Sequence, residues 1–391
     1  MIQPAQLAPH YSRFRVTQRI LLTGHSHQAW PDAGFEAQGQ SWLDAAELVD
    51  DMWERAFAQA DAVRRGFARL LGDAPERIAL AANTHELVVR FLSALPLRSR
   101  PRLVTTDGEF HTIRRQLDRV AEEGIEVVKV AALPAATLAE RLARTVDKRT
   151  AAVLVSAVLY GNAHIVPNLR AVLAAAKRQG AELLVDAYHA LNVVPFSLQQ
   201  ERLEGAYIVG GGYKYCQLGG GNGFLRMPPD GVLRPVVTGW FSEFTDLTQA
   251  ASRGRVDYGS GPARFAGATY DPASHYRAAT VFKFFEEQAL TPEKLRELSR
   301  HQVGLLAREF DALDADPKVI DRDRTVPLED IGGFLALRTP HAARLHTQLK
   351  ERGVMTDYRG AVLRLGPAPY VTDAQLTEAV GTLGAALRRT P

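Results

Sequence analysis

At 391 residues the chain is longer than one hydrophobic core usually serves, which predicts a large domain with a smaller one attached. Its 47 Lys and Arg against 44 Asp and Glu leave a net charge of +3 with no long basic run, so neither nucleic acid nor a membrane surface is an expected partner. With 46% hydrophobic and 23% charged residues it reads as soluble and globular, and its one cysteine excludes an internal disulfide or a multi-cysteine metal site and fits a reducing compartment.

The stretch from Met1 to His10 lacks the basic start and apolar core of a secretory signal, which predicts a cytoplasmic protein. The longest apolar run, Ala151 to Tyr160, is about half of the roughly 20 residues needed to cross a bilayer and reads as a buried strand. From Trp42 to Leu71 the spacing is helical and ends at Gly72, a good C-terminal cap. Short β-rich runs follow: Arg77 to Leu80, Pro101 to Thr106, Ile125 to Val130, Ala151 to Val155, Glu182 to Val185 and Ala206 to Val209. They alternate with helix-like stretches at Leu87 to Leu95, Ile113 to Glu123, Ala136 to Arg144 and Leu169 to Gly180. This alternation predicts right-handed crossovers and an α/β domain whose mainly parallel sheet is covered on both faces. Beyond about residue 274 long helices (Ser274 to Ala289, Pro292 to Leu313) give way to short mixed elements, which predicts a smaller α+β domain.

Ligands of such sheets sit beyond the carboxyl ends of the strands. The polar residues there should converge: Asn83-Thr84, Glu109-Phe110-His111, Ser156 to Asn162, Asp186 to His189, and Tyr213-Lys214. Lys214 lies in Gly210 to Gly223, a glycine-rich stretch without the spacing of a phosphate-binding P-loop. Glycines allow tight turns and close approach to a bound group, and a lysine in a dry site becomes a nucleophilic amine; an ordinary loop is the alternative. Asp186 at a strand tip suits pairing with a cationic ring nitrogen, as pyridoxal phosphate requires, or capping of the next helix.

These residues carry a resemblance. The chain resembles pyridoxal 5'-phosphate enzymes of fold type I in the class V aminotransferase superfamily, and within it kynureninases. Asp186 and His189 match the family's Asp-x-x-His, and Tyr213-Lys214 its Tyr-Lys pair with the Schiff-base lysine. Gly239-Trp240-Phe241 is similar to the segment whose tryptophan reaches the cofactor phosphate across a dimer interface. Arg264 to Thr269 resembles a segment whose threonine does the same, with alanine in place of its glycine. Glu351 to Arg359, Leu363-Arg364 and Pro369-Tyr370 look like the kynureninase stretch whose arginine holds the substrate α-carboxylate. The likeness runs from about residue 20 to 390.

The resemblance implies an aspartate aminotransferase-like large domain with a seven-stranded sheet between helices, at 31–273, and a small α+β domain of 1–30 and 274–391. It implies catalytic roles for Lys214, Tyr213 and Asp186, and a cofactor held by Asn83, Thr84, Phe110, His189, Trp240 and Thr269 as well. Asn83-Thr84 before helical sequence would offer a hydroxyl and N–H groups to a phosphate, or simply cap the helix. Phe110 matches the aromatic that stacks on the ring; a core phenylalanine is the alternative, as is a core histidine for His189. Arg364 would fork onto the α-carboxylate of a small amino-acid substrate, with Ser26 and His25 beside it. No metal is expected, because His25 and His27 lack a completing cluster.

There are departures. His25 replaces the asparagine of the family's Gly-Asn-Ser, His27 the residue after, and Ile113 stands where an aspartate is common. The implied activity is hydrolytic Cβ-Cγ cleavage of kynurenine or a related γ-keto amino acid, in a homodimer with shared active sites. A class V aminotransferase or related lyase, and a non-catalytic cofactor-binding homologue, are the alternatives. Cysteine desulfurase is disfavoured because the only thiol, Cys216, sits beside Lys214 rather than later in the chain.

Overall fold

The structure, a computed structural model, describes residues 2–246 and 254–388; Met1, 247–253 and 389–391 lie outside the described residues. Seven strands form the main sheet: β1 (Ile78–Ala81), β2 (Arg102–Thr106), β3 (Glu126–Val130), β4 (Thr150–Ser156), β5 (Glu182–Asp186), β6 (Tyr207–Gly211) and β7 (Gly223–Arg226). Their order is β1-β7-β6-β5-β4-β2-β3, and β7 alone runs antiparallel to its neighbours. β7 has no counterpart among the expected strands, because four residues beginning at a glycine carry too little periodicity to register.

The pleat divides two cores. Along β4, Val153 and Val155 join one hydrophobic cluster while Ala152 and Leu154 join the other, and Leu183 and Leu184 of β5 divide in the same way. Both faces are therefore buried, which is why β4 reads as an unbroken apolar run. The outer strand β3 carries Glu126 and Lys129, charges that discourage pairing with a further strand.

The helical reading of Trp42 to Leu71 is corrected. Two helices, Asp32–Leu48 and Met52–Leu71, flank a short turn at Val49–Asp51 where Val49 takes a φ of 52°, costly for a β-branched residue and incompatible with a continuous helix. Trp42 is 78% exposed, so its hydrophobicity there does not mark a core face.

Later in the chain β8 (Asp321–Arg322), β9 (Leu335–Arg338), β10 (Asp357–Arg359) and β11 (Val362–Leu365) make an antiparallel sheet in the order β10-β11-β9-β8. The helices Pro292–Ala312 and Asp373–Leu387 pack on each other beside it. The N-terminal segment joins this part of the chain: Ile20–Leu21 pairs in parallel with Val354–Met355, and Thr23 bridges Gly366. Among the described residues no helix is long and apolar enough to cross a membrane.

Candidate active site

The carboxyl ends of β1, β2, β4, β5 and β6 open onto one cavity of about 340 Å³. Lys214, Tyr213, Asp186, His189 and Phe110 line it, as do Asn83 and Thr84. Arg364, Ser26 and His25 complete it from β11 and the N-terminal segment. Trp240, 47% exposed, and Thr269, also exposed, are not among the residues lining this cavity.

The glycines of the Lys214 loop serve close approach. A Cβ on Gly223 would lie 2.5 Å from the carbonyl carbon of Asn83, and one on Gly211 would lie 2.9 Å from the Tyr188 hydroxyl. Lys214 Nζ sits over two aromatic faces, 5.2 Å from the centre of Phe110 and 4.9 Å from that of Tyr188, and contacts Nε2 of His189. Burial drops its pKa to about 7; the Asp186 carboxylate opposes that fall and the Arg364 guanidinium adds to it. Asp186 is itself pushed up by burial, against the Tyr188 N–H donated to its Oδ1 at 2.8 Å and the nearby Lys214. For His189 burial first, then Lys214, His25 and Arg364, hold the imidazole well below its ordinary value, and its Nδ1 is buried without a hydrogen-bond partner.

Asn83 caps the helix Thr84–Ala94, its Oδ1 accepting the Glu86 N–H at 3.0 Å, and the Thr84 hydroxyl donates to the Gly210 carbonyl at 3.0 Å. The first N–H groups of that helix have no intrahelical acceptor and lie at the cavity wall. Phe110 precedes the helix His111–Glu122 as its N-cap. Beneath it Glu109 is buried at 2% exposure and accepts from Thr106 Oγ1 (2.7 Å) and Ser156 Oγ (2.6 Å); burial raises its carboxyl to about 7 despite those donors.

Arg364 is no surface charge, being 3% exposed. Nη1 donates to the Tyr160 carbonyl and Nη2 to Asp357 Oδ2, both at 2.7 Å, while Nε is buried without a partner. Asp357 also accepts from Arg359 Nη1 at 2.8 Å, so one carboxylate joins two guanidinium groups. Outside this site a second space lined by Ser26, Tyr213 and Arg359 adjoins it, where His27 stacks on Tyr213 with centroids 5.0 Å apart.

Thr112 and His85 also line the cavity, a role the sequence did not mark for them, and Tyr188 lines it within the expected stretch Asp186 to His189. The signal for His85 was its place directly after Asn83-Thr84; that for Thr112 was its place in the first turn after Phe110.

These residues suit a flat, anionic, aldehyde-bearing cofactor. The amine of Lys214 is available near neutral pH, aromatic faces flank it, an acid stands at the strand tip, and a helix N-terminus offers N–H groups to a phosphate.

Comparison with known proteins agrees. Residues 300–383 match the family model of the kynureninase C-terminal domain. The chain is 21% identical over 350 residues to the uncharacterized aminotransferase YcbU of Bacillus subtilis (strain 168), covering 88% of this chain and 89% of that protein. It is 25% identical over 317 residues to the kynureninase of Bacillus mycoides (strain KBAB4), covering 77% and 71%, and 26% identical over 360 residues to the isopenicillin N epimerase of Streptomyces clavuligerus, covering 87% and 88%. Among solved structures, the apo cysteine desulfurase of Thermococcus onnurineus NA1 superposes with a TM-score of 0.83 at 15% identity, covering 100% of this chain and 99% of that one. A C-DES mutant with glycine covalently linked to its PLP cofactor superposes with a TM-score of 0.82 at 17% identity, covering 96% and 98%.

Proposed function

We propose that this chain, a kynureninase-like pyridoxal 5'-phosphate enzyme of fold type I in the class V aminotransferase superfamily, hydrolyses the Cβ–Cγ bond of kynurenine or a related γ-keto amino acid to alanine and an aromatic acid. The observation that carries this reading is Arg364: it lies within the segment matched by the kynureninase model, yet lines the same cavity as Lys214 of the main sheet.

Bound pyridoxal phosphate supplies an electron sink for a carbanion at the substrate Cα. On this reading Lys214 anchors the cofactor and, once released, its neutral amine takes the Cα proton. Asp186 would pair with the ring nitrogen and keep it protonated, and Phe110 and Tyr188, whose faces flank Lys214 Nζ, would pack against the cofactor ring and exclude water from it. The N–H groups at Thr84 and the Tyr213 hydroxyl bind the phosphate, and Tyr213 also carries protons between substrate and solvent. Arg364 orients the α-carboxylate through its unbonded Nε edge. One water adds to the γ-carbonyl and its oxygen leaves in the aromatic acid, while Cβ keeps the electron pair of the broken bond and takes a proton, giving alanine. Purified protein loaded with cofactor should release fluorescent anthranilate from kynurenine or its hydroxylated form; absence of fluorescence with both overturns the assignment.

A class V aminotransferase or related lyase is the second reading, favoured by the aminotransferase and epimerase relatives of similar identity and by His25 in place of asparagine. Amino transfer to an α-keto acid from a panel of donors identifies it. A coloured protein that turns over no amino acid would instead be a non-catalytic homologue. Desulfurase chemistry finds little support: the Cys216 thiol is 2% exposed and burial pushes it up to about 12.

The same reading divides the chain into a cofactor domain at 31–273 and a small domain of 1–30 with 274–391, and places it in the cytoplasm as a homodimer. In that dimer Trp240 and Thr269 reach the phosphate of the neighbouring subunit. Subunits carrying Lys214→Ala, mixed with subunits carrying Trp240→Ala, should regain activity that neither shows alone; a monomer fully active at high dilution refutes the shared site.

A further inference from the structure

His25 is buried completely, at 0% exposure, yet neither of its ring nitrogens has a hydrogen-bond partner. Buried polar groups are nearly always paired, and His25 lies in the cavity wall with Nδ1 packed against Gly366, so the unpaired Nε2 points to a ligand that completes it. The imidazole is held there by backbone. The N–H groups of Ser26 and His27 both donate to the Thr23 carbonyl, at 2.8 and 2.7 Å, which closes a tight turn. That turn is fastened to the end of β11, where Gly24 N–H donates to the Gly366 carbonyl and Gly366 N–H to the Leu22 carbonyl, each at 2.8 Å. Gly366 leaves room that no other residue would: a Cβ there would lie 2.1 Å from His25 Nδ1. On another side the ring packs against Phe334, centroids 4.5 Å apart.

The charges around the ring keep it neutral. Arg364, Lys214 and Arg359 all disfavour the imidazolium, on top of burial, and hold its pKa well below the ordinary value. The one acid at hand, Asp357, has Oδ2 3.8 Å from Nε2, beyond hydrogen-bond reach, and that oxygen already accepts from Arg364. His25 therefore offers one N–H and one lone pair without charge.

Its neighbours fix which part of an amino acid it can meet. Arg364 takes the α-carboxylate and Lys214 lies at the cofactor-bound nitrogen, so a residue close to both stands over the first atoms of the side chain. A neutral donor suits a carbonyl oxygen there. We propose that His25 donates a hydrogen bond to the γ-carbonyl oxygen of the substrate and so selects γ-keto amino acids. The assignment rests on the kynureninase-like reading and adds to it a specificity-determining residue that stands where the kynureninase pattern has asparagine.

The test uses two amino acids that differ only in that carbonyl, β-benzoylalanine and homophenylalanine. Their affinities for the cofactor-loaded protein are read from the change each causes in its visible spectrum. Wild type should prefer β-benzoylalanine roughly tenfold, the worth of one buried hydrogen bond. His25→Leu should abolish the preference, and His25→Asn, which keeps an N–H donor, should retain part of it; each variant's visible band and Tm report whether the site is intact. An undiminished preference in His25→Leu overturns the proposal. So does an equal loss for both ligands, which would put His25 at the amino-acid head they share. A wild type that responds to both without preference also refutes the His25 contact, whereas a wild type that responds to neither refutes the substrate reading beneath it.

Discussion

The depressed pKa of Lys214 has a measurable consequence before any substrate is present. Cofactor attachment requires the unprotonated amine. With its pKa at about 7, Lys214 is about half unprotonated at neutral pH, whereas an ordinary lysine near 10.4 is unprotonated to only a few parts in ten thousand. Reactive amine is thus enriched roughly a thousandfold. Cofactor-free protein mixed with pyridoxal phosphate at a series of pH values, with the rate divided by that of Nα-acetyllysine under the same conditions, removes the cofactor's own ionisation from the comparison. The rate constant of the protein should rise through a midpoint near pH 7 and then level, so the ratio to acetyllysine should fall about tenfold per pH unit above it. The cause is separable. Burial is the largest contribution and remains in any conservative variant, whereas Asp186→Asn removes a charge that favours the ammonium and should move the midpoint down. Arg364→Gln removes one that opposes it and should move the midpoint up. A ratio independent of pH up to pH 9 would show that Lys214 titrates as a solvent-exposed lysine, and would refute the dry site.

Three other outcomes are expected. Arg364→Lys keeps the charge but loses the fork held by Tyr160 and Asp357, and should raise KM by about ten- to a hundredfold while leaving the cofactor spectrum in place; an unchanged KM removes Arg364 from substrate binding. Tyr188→Ala should weaken cofactor binding several-fold, measured as the dissociation constant by absorbance titration, and an unchanged constant would mean the ring face seen beside Lys214 does not support the cofactor. Glu109 has its carboxyl raised to about 7 from 4.5, so the folded state keeps the proton that the unfolded state releases. Its contribution to stability is complete below pH 4.5, is lost as pH climbs towards 7, and is level above that. Glu109→Gln should accordingly gain in Tm relative to wild type between pH 5 and pH 8, and a constant difference across that range refutes a raised carboxyl.

Much of the site was legible because it follows one rule. Strands buried on both faces announce themselves as apolar runs, and residues after β1, β2, β4, β5 and β6 reach the cavity as that rule requires, although Glu109, His111 and Asn162 of the expected set do not line it. Three features escaped it. β7 is too short to show a period, and its place between β1 and β6 depends on pairing across the sheet. The break at Val49 is a backbone conformation that residue type argues against. His85 and Thr112 reach the cavity through the direction of a side chain, which spacing along the chain does not encode. Arg364 was identifiable only by resemblance, since nothing local distinguishes it from a surface arginine; burial and its two acceptors are long-range facts.

The seam between Leu22 and Gly366 makes residues from opposite ends of the chain a single steric unit. Positions 25 and 366 cannot vary independently: a side chain at 366 would occupy the volume of the imidazole, so its arrival requires a smaller residue at 25. Grafting a relative's C-terminal part onto this chain would therefore reshape the substrate pocket only if the N-terminal turn travelled with it. The two segments therefore shape the cavity wall at His25 as a pair, and a shift in one is a constraint on the other.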